Sequence, residues 1–581
     1  MDMPAECLVR GVAAGRVLFA DVGLSFMGGV HPETGEIIDT HHPLRGERVG
    51  GKILAIPSGR GSCAGSVGIF ELLFNGHAPA ALVFQHRETI LTLGVLIAKE
   101  LFNRGIPVVC LSQRDFAALS TAPYAIVDGD TVEIRETPPR DIVPSCDLPD
   151  LDLAAFALTD GDREILAGKQ GDAAKLALRI IIRTAQLEGA GSLVDVDMAH
   201  IDGCFYHGPG GLEFAKELLS LGARVKIPSS MNAVCVDRRL WRSLGVDSRI
   251  GAPSDELAET YVGMGVRPTY TCAPYLLDDA PVRGQQIAWG ESNAVVFANS
   301  VLGARTMKYP DYLDILVAIT GRAPNVSCHV AGKRFATLRI DIPRPVDPDD
   351  SYFPALGYHV GKIATNDIPV ICGLEDLKVS RDDLKAFGAA FATTSASAMF
   401  HIVGITPEAA TLDQATGGQA PERRHEVTVA QLKETWDELN GAVTPDVDLV
   451  SLGNPHFSLT ECRRLAGLCS GRRISDNVRL VVTCGRGVFE KATDAGYVRT
   501  IREFGGTFMN DTCWCLIGEP VIAPAVGNIL TNSGKYAHYG PAVTGKAFHF
   551  SGLARCVDAA CSGRIDNTPP GWLHEAKERQ E

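Results

Sequence analysis

Sixteen cysteines, a serine-bearing turn and a few polar residues set just after apolar runs carry the chemistry this 581-residue chain could perform. Cys272 lies in Thr271-Cys272-Ala273-Pro274 and Cys513 in Asp511-Thr512-Cys513, each beside Thr or Pro in a loop rather than inside an apolar run. Thiolates brought together from loops can hold an iron-sulfur cluster, and incomplete ligation leaves an iron open to a substrate oxygen. Cys372 ends an apolar run and precedes Gly373, which offers a third ligand. For each cysteine taken alone, a buried thiol is the competing reading, because free Cys packs as a small hydrophobe. Cys513-Trp514-Cys515 is not a CxxC pair and gives a zinc or thioredoxin-like site little support.

Near the start, Gly51-Lys52-Ile53-Leu54-Ala55-Ile56 runs into Pro57-Ser58-Gly59-Arg60-Gly61-Ser62-Cys63-Ala64-Gly65-Ser66 and then an apolar stretch to Phe74. A strand entering a Gly/Ser turn that opens a helix gathers hydroxyls and unpaired N–H groups where the helix dipole favours negative charge. Such a turn can hold a carboxylate or an alkoxide, or simply cap a helix. Glu291-Ser292, at another helix start, can bind substrate, shuttle a proton or serve as a cap. His200 and Asp202 follow an apolar run and form either an acid/base pair or a loop hydrogen-bond network. Lys535, in Asn532-Ser533-Gly534-Lys535, offers a positive charge for a carboxylate, or is solvent-facing.

These residues need several α/β units to position them. The length, with 45% hydrophobic and 21% charged residues, exceeds one ordinary domain. Short β-type runs at 15–19, 52–56, 80–84, 106–111 and 124–135, with helical patterns at 65–74 and 91–104, predict a compact β/α domain over 1–143. The Pro- and Asp-rich stretch 136–152 has no period and reads as a linker to a large part over 152–570. That part alternates elements: a helix capped at Thr159 and running to Gln186, a strand at 192–196, a helix at 211–221, a strand at 225–227 and a turn at 228–232. Polar residues after each strand suggest an open α/β sheet with its sites at the strand ends.

A net charge of −14 and the absence of a long basic run argue against nucleic-acid or membrane-surface partners. No signal-peptide pattern or bilayer-length apolar span is present, so a cytoplasmic protein with reduced thiols is expected. There is no P-loop or dinucleotide fingerprint.

Taken together, the ordered motifs resemble the aconitase X family, a divergent branch of the aconitase superfamily. The turn 57–66 with Asn75-Gly76 and Ala78-Pro79 looks like the family's small, swivelling part. His200 to Gly203, Asn232, Thr271 to Tyr275, Gly290 to Ala294, Gly453-Asn454-Pro455-His456, Asp511 to Cys513 and Asn532 to Lys535 look like the large part. The resemblance implies an aconitase-like α/β fold around an iron-sulfur site. The small part, fused N-terminally here, resembles the single-chain branch that dehydrates cis-3-hydroxy-L-proline to 1-pyrroline-2-carboxylate; in archaeal members the two parts are separate subunits of a mevalonate 5-phosphate dehydratase. Where those carry a ligand cysteine in Gly-Cys-Pro-His, this chain has Asn454, which cannot replace a thiolate as a soft ligand.

The resemblance carries Cys272 and Cys513 over as ligands, with Cys372 assigned as the third, and a 2Fe-2S cluster expected over 3Fe-4S or 4Fe-4S. Ser62 matches the first Ser of the turn that supplies the base in ordinary aconitases, while Cys63 beside it is expected to be packing. Gly61, Asn232, Ser292 and Lys535 are expected to hold the substrate, and Glu291 or His200 to take part in protonating the departing oxygen. A monomer acting on a hydroxyproline-type amino acid is expected. The alternatives are another hydroxy acid such as mevalonate 5-phosphate, or a non-catalytic anion-binding protein.

Overall fold

The computed structural model describes residues 2–148 and 150–574. The first unit is built on one long strand, Asp2–Phe19, of which the sequence signals only the last five residues. Its first half pairs antiparallel with Val108–Leu111, and its last residues pair parallel with Ile53–Ile56. Ala81–Phe84 lies between those two partners, so the sheet closes on itself and leaves no edge along these four strands. Tyr124–Asp128 and Thr131–Arg135 extend it as a hairpin. The stretch read as a linker is partly strand, since Ser145–Asp147 also pairs with the long strand. Pro149, within that stretch, lies outside the described residues.

The large part holds three parallel sheets. In the smallest, Ala199–Ile201 is flanked by Ser229–Met231 and Ala288–Trp289. The second has the order His401–Ile402, Pro369–Cys372, Leu338–Asp341, Arg423–Glu426. The third runs Gly506–Met509, Arg479–Thr483, Leu449–Leu452, Asn528–Thr531, Ala547–Phe550. Two local expectations change. The helix expected to run unbroken to Gln186 is two, Asp160–Leu166 and Asp172–Leu187, because Gly168 and Gly171 both adopt positive φ between them. The strand expected at 225–227 forms instead over Ser229–Met231, where it finds a ladder partner.

Sequence order explains what these sheets position. Asp202, Asn232 and Glu291 follow the ends of the three strands of the smallest sheet, and Asn454, Cys513 and Lys535 follow the ends of strands in the third. Ligands in parallel sheets gather at such carboxyl ends.

The first unit docks through the helix Gly65–Asn75. Phe70 packs against Phe214 and Tyr312 of the large part at ring-centroid distances of 6.3 and 5.4 Å, within one continuous apolar core. Beside it the buried Glu71 carboxylate accepts the N–H groups of Gly210 (3.2 Å) and Gly211 (2.7 Å) at the start of the helix Pro209–Ser220. Replacing Glu71 by Ala leaves two buried N–H groups without acceptors. The expected cost is about 1–3 kcal/mol of docking stability, seen as a lower thermal unfolding midpoint and faster proteolysis between residues 136 and 152. An unchanged midpoint and cleavage rate would refute this account of the docking.

Candidate active site

The docked turn faces a cavity of about 60 Å³ lined by Ser62 and Ala64 from the first unit and by Asp202, Asn232, Cys272, Glu291, Cys513, Cys515 and Lys535 from the large part. Met27, Phe205, Leu516, Tyr539 and Val543 supply apolar walls. At roughly 10–15 Å³ per water position, the space suits a small molecule.

Ser62 is held from three directions. Its Oγ accepts the Ala64 N–H at 3.2 Å. The next residue is pinned by Ser292, whose Oγ accepts the Cys63 N–H at 3.0 Å and whose hydroxyl donates to Cys63 Sγ at 3.1 Å. The buried Lys308 ammonium donates to Gly61 O (2.7 Å) and to Ser395 O (3.0 Å), tying the turn to two further segments. Gly61 has φ 79°, and a Cβ there would stand 2.7 Å from Tyr539 Oη, so only glycine fits. Cys63 is fully buried, and burial pushes its thiol up to about 12, which suits a packing residue.

Opposite the turn, three thiols meet. Cys272 and Cys513 pack together with Cys515 against them, and all three line the cavity. Trp514, between Cys513 and Cys515, is driven into the core and donates its indole N–H to Leu452 O at 2.8 Å, so the flanking sulfurs come to one side. Asn454 Nδ2 donates to Cys515 Sγ at 3.2 Å, and the His456 N–H points at Cys272 Sγ at 3.4 Å. Cys372 does not join them. It ends a strand of the second sheet, where its neighbours are Arg339, Asp341 and Glu375, and it does not line the cavity. The third thiol at the site is Cys515, which no sequence expectation included; a Cys-Trp-Cys whose Trp is anchored in the core is the signal that marks it.

Among the described residues no three His, Cys, Asp or Glu side chains already surround a common point at metal-bonding distance. The chemistry of the three thiols nonetheless fits an iron-sulfur group: soft donors on two loops, with N–H groups aimed at two of the sulfurs as at ligating thiolates.

The charged groups are sharply differentiated. Lys535 Nζ donates to Glu291 Oε1 at 2.9 Å, and Asn293 contributes its N–H (3.2 Å) and Nδ2 (2.7 Å) to the same oxygen. Burial alone would raise Glu291, but Lys535 and Asn293 outweigh it and hold the carboxyl at about 2. Burial disfavours the Lys535 charge, yet Glu291 and the three sulfurs push its pKa well up. Asn232 Nδ2 donates to Asp202 Oδ1 and to Glu291 Oε2 (3.2 Å), while its Oδ1 is buried without a donor among the described residues. His200 sits behind this layer with Nδ1 2.7 Å from Ser230 Oγ, and burial pushes it down to about 4. His200, Ser292 and Gly61 therefore support the lining rather than form it.

An N-terminal β/α domain carrying a serine turn onto three parallel-sheet units with converging cysteines is the aconitase-like architecture. The chain belongs to the aconitase X family: its models match as the swivel domain over 2–135, the first domain over 155–332, the second over 336–437 and the third over 447–562. It is 51% identical to a cis-3-hydroxy-L-proline dehydratase of Hypocrea jecorina over 97% of this chain and 96% of that one. It is 48% identical to a protein of the same name from Pseudomonas aeruginosa over 98% of each. The crystal structure of Thermococcus kodakaraensis aconitase X in its holo form superposes with a TM-score of 0.63 and 30% identity, over 70% of this chain and all of that one.

Cys272→Ser, Cys513→Ser and Cys515→Ser are each expected to lower bound iron and visible absorbance of anaerobically prepared protein, while Cys372→Ser keeps both. Full iron in the Cys515 variant would show that this sulfur is not a ligand.

Proposed function

We propose that this protein is a hydro-lyase that dehydrates cis-3-hydroxy-L-proline to 1-pyrroline-2-carboxylate. The observation that carries the reading is the cavity lining: a serine from the swivel domain faces three thiols, and Lys535 is the one cationic side chain among the described lining residues, set against the acids Glu291 and Asp202. A phosphate substrate such as mevalonate 5-phosphate calls for more Arg and Lys than this. The near full-length likeness to proteins named cis-3-hydroxy-L-proline dehydratase supports the same choice.

In this reading Lys535 takes the substrate carboxylate, and Asn232, which lines the cavity beside Glu291, helps to orient the ring. Ser62 Oγ removes the proton from the carbon bearing the carboxylate. Its alkoxide is stabilised by the Ala64 N–H and by the Lys308 ammonium behind Gly61. The electron pair released forms the ring double bond as the 3-hydroxyl departs, and the enamine tautomerises to the imine product. Cys272, Cys513 and Cys515 would hold the iron-sulfur cluster that the family implies, of the 2Fe-2S type, which supplies a Lewis acid for an oxygen ligand. The proton-donor role expected of Glu291 or His200 is not carried forward, because at about 2 and about 4 neither holds a proton to give at neutral pH. Glu291 serves instead to orient Lys535.

The same reading divides the chain into a small part, 1–143, and a large part, 152–570, acting as a monomer in the cytoplasm. All sixteen cysteines are free, and no described helix is long and apolar enough to cross a membrane.

Ser62→Ala is expected to abolish turnover of cis-3-hydroxy-L-proline while leaving the visible absorbance of the holoprotein intact. Substantial residual activity in that variant would sink the base assignment, and wild-type protein that binds hydroxyproline without converting it would sink the function.

A further inference from the structure

A second cavity, of about 340 Å³, lies where the first and second domains meet and shares no lining residue with the catalytic one. Arg283 and Arg305 line it from the first domain, His401 and Glu408 from the second, and Arg334 from the link between them. Ligand sites favour such junctions.

Its cations are not equivalent. Arg334 is 3% exposed and uses every N–H inside the protein. Nε (2.9 Å) and Nη2 (2.6 Å) donate to the Glu408 carboxylate, Nη1 to Asn299 Oδ1 and Cys328 O (both 3.0 Å), and Nη2 also to Asn299 O (3.1 Å). This two-pronged pair neutralises Glu408 and leaves Arg334 no donor for a ligand. Arg283 and Arg305 differ: among the described residues neither forms an ion pair or donates a side-chain hydrogen bond. Two guanidiniums therefore line one cavity with no acid left there to balance them, in a chain whose net charge is −14.

Backbone holds both arginines in place. The Arg305 N–H donates to Gln285 O (2.8 Å), the Ile287 N–H to Arg305 O (2.9 Å) and the Gly284 N–H to Gly303 O (2.8 Å), so the two segments run side by side. Gly303, at φ 70°, seats the Arg283 stem, since a Cβ there would stand 3.0 Å from Arg283 Cγ. The third polar group is His401, which is 2% exposed. Its Nε2 lies 2.8 Å from Arg334 O, a carbonyl that can only accept, so Nε2 carries the hydrogen. Nδ1 has no partner among the described residues and holds a lone pair in the neutral ring. Burial pushes the His401 pKa down, which keeps the ring neutral at pH 7.

Two forked cations and one lone pair call for a ligand that offers anionic oxygens to arginine and an O–H to histidine. Hydrogenphosphate offers both. Sulfate has the same shape and charge but no O–H at neutral pH, and a phosphate monoester dianion lacks one as well. We infer that this cavity is an oxyanion site that takes free hydrogenphosphate between Arg283, Arg305 and His401. The site is separate from the chemistry yet joined to it. Residues 283–287 lead into the strand Ala288–Trp289 and then Glu291, and Arg305 comes three residues before Lys308. The Trp289 N–H donates to Thr306 Oγ1 at 3.3 Å, which couples the two segments again. An anion between them ties together the stretches that carry Glu291 and Lys308, and so stabilises the frame of the catalytic cavity without entering it.

The test titrates the full-length holoprotein calorimetrically, slightly above neutral pH and at constant ionic strength, with inorganic phosphate, sulfate and methyl phosphate. One phosphate per chain should bind, about tenfold or more tighter than the other two, and raise the thermal unfolding midpoint. Arg283→Gln and Arg305→Gln should each weaken phosphate binding by about tenfold or more. His401→Gln, whose amide can keep the bond to Arg334 O, should erase the preference for phosphate over sulfate. Lys535→Met, which removes the cation of the catalytic cavity, should leave phosphate binding unchanged. No phosphate binding, equal affinity for sulfate, full binding in both arginine variants, or binding lost with Lys535 would each overturn the inference.

Discussion

The buried ammonium of Lys308 is the interaction on which the rest of the site depends. Among the described residues it forms no ion pair with a carboxylate; it donates to two carbonyl oxygens, Gly61 O in the swivel domain and Ser395 O in the large part. A buried charge is costly unless well bonded, so Lys308 constrains both carbonyls to stay where they are. Burial pushes its pKa down, while Cys63 and Glu291 oppose that. Ser292 reinforces the same join by bonding both the N–H and the sulfur of Cys63. Ser62 faces the three thiols only because this join places it there.

A second constraint follows from putting carboxyls of opposite character in one small cavity. Glu291 is stabilised as an anion by Lys535 and Asn293, and that fixed negative charge helps keep a proton on Asp202 nearby. Groups whose environments drive their ionisation apart divide acid and base roles in this way. In the proposed reaction the serine of the swivel-domain turn takes the proton, and the bond from the Asp311 N–H to Cys63 O ties that turn to the large part.

Much of this is visible in the chain itself, because each of Ser62, Asn232, Glu291, Cys513 and Lys535 comes just after an apolar run and near a turn. That local pattern marks the carboxyl end of a parallel strand, where sites form. It does not say which sheet the strand joins. Cys372 satisfies the pattern equally well and lies in the wrong sheet. Cys515 fails the familiar spacing rule, yet is delivered by the burial of Trp514, a tertiary fact. Asp202 and Asp314 are far apart along the chain, and an aspartate's default is the surface, so the bond from the Asp202 N–H to the Asp314 carboxylate is written only in the packing of the first domain. The long first strand is likewise legible only at its end, since it is closure of the sheet, not local propensity, that orders residues 2–14.

The central claim is that a serine from one domain and three sulfurs from the other converge on a single bound ring. An iron-edge anomalous map from crystals grown anaerobically and soaked with cis-3-hydroxy-L-proline tests it most directly. The expected result is iron bonded to Cys272, Cys513 and Cys515, with the ring between it and Ser62 and its carboxylate on Lys535. Iron at Cys372, or a ring bound away from Ser62, would contradict the account.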